Sequence, residues 1–152
     1  MSIRTCLIFA RNSAGALALV LLPWWWHWII LRRPFEGILF HEFTDFSLYA
    51  TDALLLVVVA AWLLTRPDFS ATPGWVSWPL LALPVLAFAL VTVAADPGLA
   101  LYQTVRLSLV TLWALAVADS PWLRSTASAW LLAGSALQAL IALAQVVLQH
   151  AV

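Results

Sequence analysis

Five apolar runs, each long enough to cross a lipid bilayer, follow one another along this chain. A helix of about 20 apolar residues spans the hydrocarbon core, which is roughly 30 Å thick. Lipid offers no partner to an unpaired backbone group, so such runs cross a membrane as helices. We therefore predict an all-α fold, a polytopic transmembrane helical bundle of about five spans in one unit of residues 1–152. The predicted spans are approximately 13–31, 48–64, 75–95, 101–118 and 127–148.

The composition excludes the other common protein classes. Hydrophobic residues make up 64% of the chain and charged residues 9%, whereas a soluble domain carries about a quarter charged residues. Seven arginines balance seven acidic residues, so no net positive charge is available for binding nucleic acid. Cys6 is the single cysteine, which excludes a fold held by disulfides. An integral membrane protein in contact with membrane lipid remains.

The arginines in the connections between spans predict the orientation. Cytoplasmic connections carry an excess of arginine and lysine. Four arginines lie on the side of the N-terminus and two on the other side, which predicts a cytoplasmic N-terminus. Pro23 and a tryptophan cluster follow the first apolar stretch where a signal peptidase would need small residues, so we expect an uncleaved anchor.

Arg106 lies inside the fourth predicted span, and two interpretations of it remain open. A charge within a span costs about 2.5–3.5 kcal/mol on insertion scales, so it normally has a partner or a purpose. It could snorkel to the headgroups or join a structural ion pair. It could also bind a phosphate or carboxylate at the outer leaflet, with Arg32 and Arg33 nearby on the same side. Asp52, at the start of the second span, could pair with any of these three arginines.

The last span carries a polar stripe that includes Ser135, Gln138 and Gln145. At 100° per residue these side chains fall on one face of a helix. Glutamine amides in hydrocarbon form hydrogen bonds with a facing helix. We predict that the stripe packs against other helices or another subunit, with a substrate path as the alternative.

The connection 34–47 contains His41, Glu42 and Asp45 in the pattern of a zinc-protease helix, with aspartate in place of the second histidine. No third ligand follows at a usable spacing, so we predict neither a metal site nor a cofactor. Interleaved phenylalanines favour an interfacial segment, with the aromatic rings in lipid and the acids in water.

Several segments resemble the O-antigen ligase/polymerase family. They are an arginine-flanked first helix that reaches LLP, the stretch YATDALLLVVVAAWLL, the early arginine of LYQTVRLSLVTLWALAVA and the stretch GSALQALIALAQVVLQ. The spacing of Gly134, Gln138 and Gln145 in the last stretch is the most specific of these features. Members of this family join or extend glycans on a polyprenyl diphosphate lipid at the outer face of the bacterial inner membrane.

The resemblance implies two alternatives for function. The chain corresponds to the amino-terminal spans of the family and lacks the large loop whose arginine and histidine support transfer, so no catalytic residue is assigned and no activity is expected of this chain alone. In the first alternative it is the amino-terminal part of a glycan ligase or polymerase, with Arg106, Arg32 and Arg33 near the lipid diphosphate. In the second it is a small non-catalytic membrane subunit that docks on a larger complex.

Overall fold

The computed structural model describes residues 2–22, 27–31, 46–65 and 74–150, and in these ranges it is helical apart from one two-stranded hairpin. The helices are α1 (Ile3–Leu21), α2 (Ala50–Leu64), α3 (Gly74–Leu90), α4 (Pro97–Asp119) and α5 (Pro121–His150). The strands are β1 (His27–Leu31) and β2 (Phe46–Tyr49), and a short 3-10 helix (Val91–Val93) follows α3.

Helix α1 differs from the predicted first span, 13–31. It begins at Ile3, where the Ser2 side chain accepts a hydrogen bond from the Thr5 amide, and it ends at Leu21. The helix ends although the apolar run continues, because Pro23 has no N–H to donate to a helical carbonyl. The chain then forms β1, which pairs antiparallel with β2 in a hairpin that hydropathy did not predict.

Helices α4 and α5 begin with the same local signal. Ser120 stands before Pro121 in the pattern of a helix N-cap, and its hydroxyl accepts a hydrogen bond from the Leu123 amide at 3.4 Å. At the start of α4 the Asp96 carboxylate accepts from the Leu99 amide at 3.0 Å, again ahead of a proline. Helix α4 therefore begins four residues before the predicted 101.

Three helical segments of the described chain are long and apolar enough to cross a membrane, namely Ile3–Leu21, Pro97–Asp119 and Pro121–Val146. Two shorter apolar helical segments, Ala50–Leu64 and Ser77–Val93, accompany them. Both shorter segments match the predicted second and third spans in position. The fold is thus an all-α bundle with the character of a membrane protein.

Helices α1 and α4 hold the bundle together. Helix α1 packs against α2 and α5, and α4 packs against α2, α3 and α5. The central core contains Val58 and Trp62 of α2 with Leu115 and Ala116 of α4, all nearly inaccessible. The start of α1 and the end of α2 line one shallow pocket, so these two helices run in opposite directions. This arrangement brings the start of α2 to the end of the bundle where α4 also begins.

Helices α1 and α5 approach closely at Gly134. A Cβ atom built on Gly134 would lie 2.8 Å from the Cα of Val20 and closer still to its carbonyl oxygen, so no larger residue fits without moving the backbone. Gly15 similarly faces the Leu123 side chain. Helix α1 ends at Leu21, beside this contact, and α5 continues for sixteen residues, about 24 Å.

Candidate functional site

The charge within α4 is paired with the acid at the start of α2. Nε of Arg106 lies 3.5 Å from Oδ2 of Asp52. The Asp52 side chain is 7% exposed and that of Arg106 29% exposed. Of the three arginines that could have paired with Asp52, the structure shows Arg106 in contact; Arg32 and Arg33 lie outside the described residues.

Asp52 is held in place by its own helix. It occupies the first turn of α2, and its Oδ2 accepts a hydrogen bond from the Tyr49 amide at 3.0 Å. A carboxylate in the first turn also interacts favourably with the positive end of the helix dipole. Asp52 therefore caps α2 and faces Arg106 with the same oxygen atom.

Two tyrosine rings flank the Arg106 guanidinium. Its central carbon lies 4.2 Å from the centre of the Tyr49 ring and 5.8 Å from that of the Tyr102 ring. A guanidinium within about 6 Å of an aromatic ring is attracted by the electrons of the ring face. Tyr49, Asp52, Tyr102 and Arg106 together form what we call the Arg106 cluster.

The Arg106 side chain is paired with Asp52 but remains partly exposed. Nε is buried and makes no hydrogen bond to the described residues, although it lies near the Asp52 carboxylate. An arginine has five N–H donors, one on Nε and four on the two terminal nitrogens. The partial exposure of Arg106 is consistent with access from outside the bundle. Chemically, the cluster presents an oriented planar cation with one side compensated by a carboxylate.

Arg106 lies about 14 Å along α4 from Pro97, yet it is level with the first turn of α2. The earlier start of α4 places Arg106 further into its own helix than the predicted boundary implied. Strand β2 leads directly into α2 at this level, so the cluster lies where the hairpin meets the helices.

The three predicted packing residues lie on the half of α5 beyond Gly134. Ser135, Gln138 and Gln145 are all exposed, because none of the chain's other described helices covers them. Their contact with another helix or subunit stays a prediction. The motif His41-Glu42-x-x-Asp45 lies outside the described residues, and no cluster of metal-ligating side chains occurs in the part of the chain that the structure describes.

A second polar cluster, which the sequence did not predict, joins three helices at the opposite end of the bundle. Nε1 of Trp62 donates a 2.7 Å hydrogen bond to Oδ2 of Asp119. The Ser120 hydroxyl donates to Oδ1 of Asn12 at 3.2 Å, and Ser120 is 1% exposed. Asp119 and Asn12 flank or interrupt apolar runs, and this was the available signal. Their partners are distant in sequence, so spacing alone could not identify them.

No family model matches the chain, and neither a curated protein nor a solved structure matches it.

Proposed function

We propose that this chain is a five-span unit of a bacterial inner membrane in which the Arg106 cluster binds the diphosphate of a polyprenyl-linked glycan at the outer face. The single observation that carries the proposal is a partly exposed arginine, oriented by a carboxylate and two tyrosine rings. Diphosphate offers several anionic oxygens to the planar fork of a guanidinium. The O-antigen ligase/polymerase family, which this sequence resembles, acts on glycans linked to such a polyprenyl diphosphate.

The antiparallel packing supports a topology of five spans. The end of α2 lies beside the start of α1, and α4 runs back along α3, where residues of both helices line a shared groove. If α2 and α3 cross the membrane with the three longer helices, the chain alternates sides after each helix. Arg4 and Arg124 then lie on the side of the N-terminus, and Arg106 lies towards the other side. An arginine excess on the first side makes that side cytoplasmic.

The opposing charge of Asp52 sets the selectivity of such a site. Because Asp52 compensates part of the guanidinium charge, a singly charged lipid headgroup gains little by binding. A diphosphate carries more negative charge and has enough oxygens to occupy the terminal nitrogens in a bidentate manner. The flanking rings hold the guanidinium plane in one orientation. The cluster is therefore expected to favour a diphosphate over a neutral or weakly anionic lipid.

Direct binding to the chain in lipid nanodiscs tests the proposal. A polyprenyl diphosphate and the neutral polyprenol of the same length are titrated, and the bound lipid is counted by native mass spectrometry. Loss of charge-assisted hydrogen bonds in Arg106→Ala is worth about 1.5–3 kcal/mol, which corresponds to a loss of affinity of about tenfold to a hundredfold. Arg106→Lys keeps the charge without the bidentate geometry, so its affinity for the diphosphate should lie between that of the unaltered chain and that of Arg106→Ala.

Arg4→Ala is the matched control, because it removes the same charge at the opposite end of the bundle. Equal diphosphate binding by the unaltered chain and by Arg106→Ala would show that Arg106 does not hold the ligand. In the bacterium that carries this gene, with each substitution placed in the gene itself, transfer of glycan to the cell surface should follow the same order of variants.

The exposed face of α5 favours a second candidate, a non-catalytic membrane subunit. Amide side chains at Gln138 and Gln145 are exposed on a helix otherwise suited to cross a bilayer. Hydrocarbon provides no hydrogen-bond partner for them, so contact with another membrane helix is favoured. The two candidates separate in the nanodisc titration: a subunit of this kind binds the diphosphate lipid and the neutral polyprenol equally, whereas the first candidate discriminates between them.

A further inference from the structure

We infer that the half of α5 beyond Gly134 is a self-association surface and that its occupant is the same helix of a second, parallel copy of this chain. This inference takes the docking role of α5 further and is independent of the Arg106 cluster. It rests on the length of α5, on the spacing of its polar residues and on their chemistry.

The first observation is that α1 leaves this half of α5 uncovered. Gly134 of α5 lies against the backbone of Val20, and α1 ends one residue later at Leu21. Gln138 and Gln145 lie within about 40° of Gly134 around the helix, at 100° per residue. They therefore continue the α1-facing side of α5 past the end of α1. Both are exposed.

The second observation is a seven-residue repeat. Ser128, Ser135 and Ala142 recur at intervals of seven, and so do Leu131, Gln138 and Gln145, three residues after each. This is the spacing of the two core positions in a left-handed pair of helices. Small residues at one of the two positions allow membrane helices to approach closely. The repeat therefore describes a seam rather than an isolated polar residue.

The third observation identifies the occupant. In a parallel symmetric pair, each seam residue lies next to its own counterpart in the other copy. A primary amide contains both a donor and an acceptor, so Gln138 and Gln145 each satisfy their counterparts without a complementary residue. No charged residue occurs from Ser125 to Gln149, so two copies meet without repulsion between like charges. Two copies inserted with the same topology are parallel.

Disulfide cross-linking of the full chain in lipid vesicles tests the inference. Cys6, which is exposed, is first replaced by serine. A single cysteine is then introduced by Ala142→Cys on the seam, or by Leu140→Cys as the control. Leu140 is 64% exposed and lies on the opposite side of α5 from the seam. With a copper–phenanthroline oxidant and a low protein-to-lipid ratio, a disulfide-linked dimer is expected for position 142 and not for position 140.

The contribution of the amides is measured separately from the proximity of the helices. Each amide pair in a membrane contributes a factor of about three on average, so Gln138→Leu with Gln145→Leu should raise the dimer dissociation constant about eightfold. Gln103→Leu removes an exposed amide from α4 and should leave the dissociation constant unchanged. Energy transfer between labelled copies, measured across a lipid dilution series, gives this constant.

Each other outcome overturns the inference. A chain that stays monomeric at every dilution has a different occupant on α5, such as a helix of another protein. Equal cross-linking at positions 140 and 142 indicates random collision rather than a seam. If a dimer forms but its dissociation constant is unchanged in the double glutamine variant, the amides of Gln138 and Gln145 do not contribute to the interface. A dimer that fails to form has no bearing on diphosphate binding, which is read in the nanodisc titration.

Discussion

Replacing Asp52 should separate the two functions of its carboxylate. Asp52→Asn retains an oxygen that can accept the Tyr49 amide but removes the charge facing Arg106, whereas Asp52→Ala removes both. The helix cap is worth about 1 kcal/mol. Removing one partner of a fully buried ion pair costs about 3–5 kcal/mol, because the other charge is left unpaired.

The exposure of Arg106 lowers that second cost. At 29% exposed, its guanidinium can reach water or headgroups when Asp52 is lost, so we expect about 1–2 kcal/mol from the charge. Asp52→Asn should therefore destabilise the bundle by about 1–2 kcal/mol and Asp52→Ala by about 2–3 kcal/mol. Reversible unfolding in mixed micelles, followed by far-ultraviolet circular dichroism against the fraction of denaturing detergent, measures both values.

A double-mutant cycle with Arg106→Leu isolates the ion pair. Sites that do not interact add to within about 0.3–0.5 kcal/mol, and we expect a coupling of about 1 kcal/mol between Asp52 and Arg106. Additive losses would refute the ion pair, and equal losses for Asp52→Asn and Asp52→Ala would refute the cap. The lipid titration should change in the opposite direction: Asp52→Asn binds the diphosphate severalfold more tightly, because the compensating charge is gone.

Three further changes test the packing and the topology. Gly134→Ala should destabilise the bundle by about 1–3 kcal/mol in the same unfolding assay, because the new Cβ overlaps α1 backbone, whereas Gly74→Ala makes only an ordinary 3.6 Å contact and should be nearly neutral. Trp62→Phe loses the hydrogen bond to the Asp119 carboxylate and should cost about 1.5–3 kcal/mol. Single cysteines introduced by Gly74→Cys and Gly98→Cys in a Cys6-free chain should react with an impermeant reagent only after permeabilisation at 74, and from outside at 98.

The contrary results are equally specific. A neutral Gly134→Ala would mean that α5 does not approach α1 closely. An unchanged stability in Trp62→Phe would mean that the hydrogen bond from the indole to Asp119 is no stronger than the one the indole forms with lipid or water when the bundle is unfolded. Labelling from outside at position 74 would reverse the proposed orientation.

Apolar length predicted the class of fold, while local backbone chemistry decided where the helices begin and end. The position of the second helix was predicted closely, because the apolar run 48–64 and the helix Ala50–Leu64 nearly coincide. The first predicted span, 13–31, lies too far along the chain, because hydropathy takes no account of the missing N–H of Pro23. A capping side chain followed by proline begins both α4, at Asp96 and Pro97, and α5, at Ser120 and Pro121, and this pattern would have located both starts more closely than apolar length did.

The Arg106 cluster was only partly predictable. A charge in an apolar run identified Arg106, and the sequence offered Asp52 as one of its partners. The choice among three arginines, and the position of Tyr49 over the guanidinium, depend on how α2 packs against α4. Helical spacing placed Gln138 and Gln145 on one face, but it carried no information about where α1 would stop covering that face.

Helices α4 and α5 are joined through the single non-helical residue Ser120. Its amide donates to the Val117 carbonyl, its carbonyl accepts from the Arg124 amide, and its hydroxyl donates to Asn12 of α1. A joint with every group engaged has little freedom to rotate, and α1 also holds α5 as far as Gly134, so we expect only the sixteen residues beyond Gly134 to act as a free arm, about 24 Å long. A sideways load on this arm would be transmitted first to α1 at Gly134 and then, through Ser120, to α4, the helix that carries Arg106.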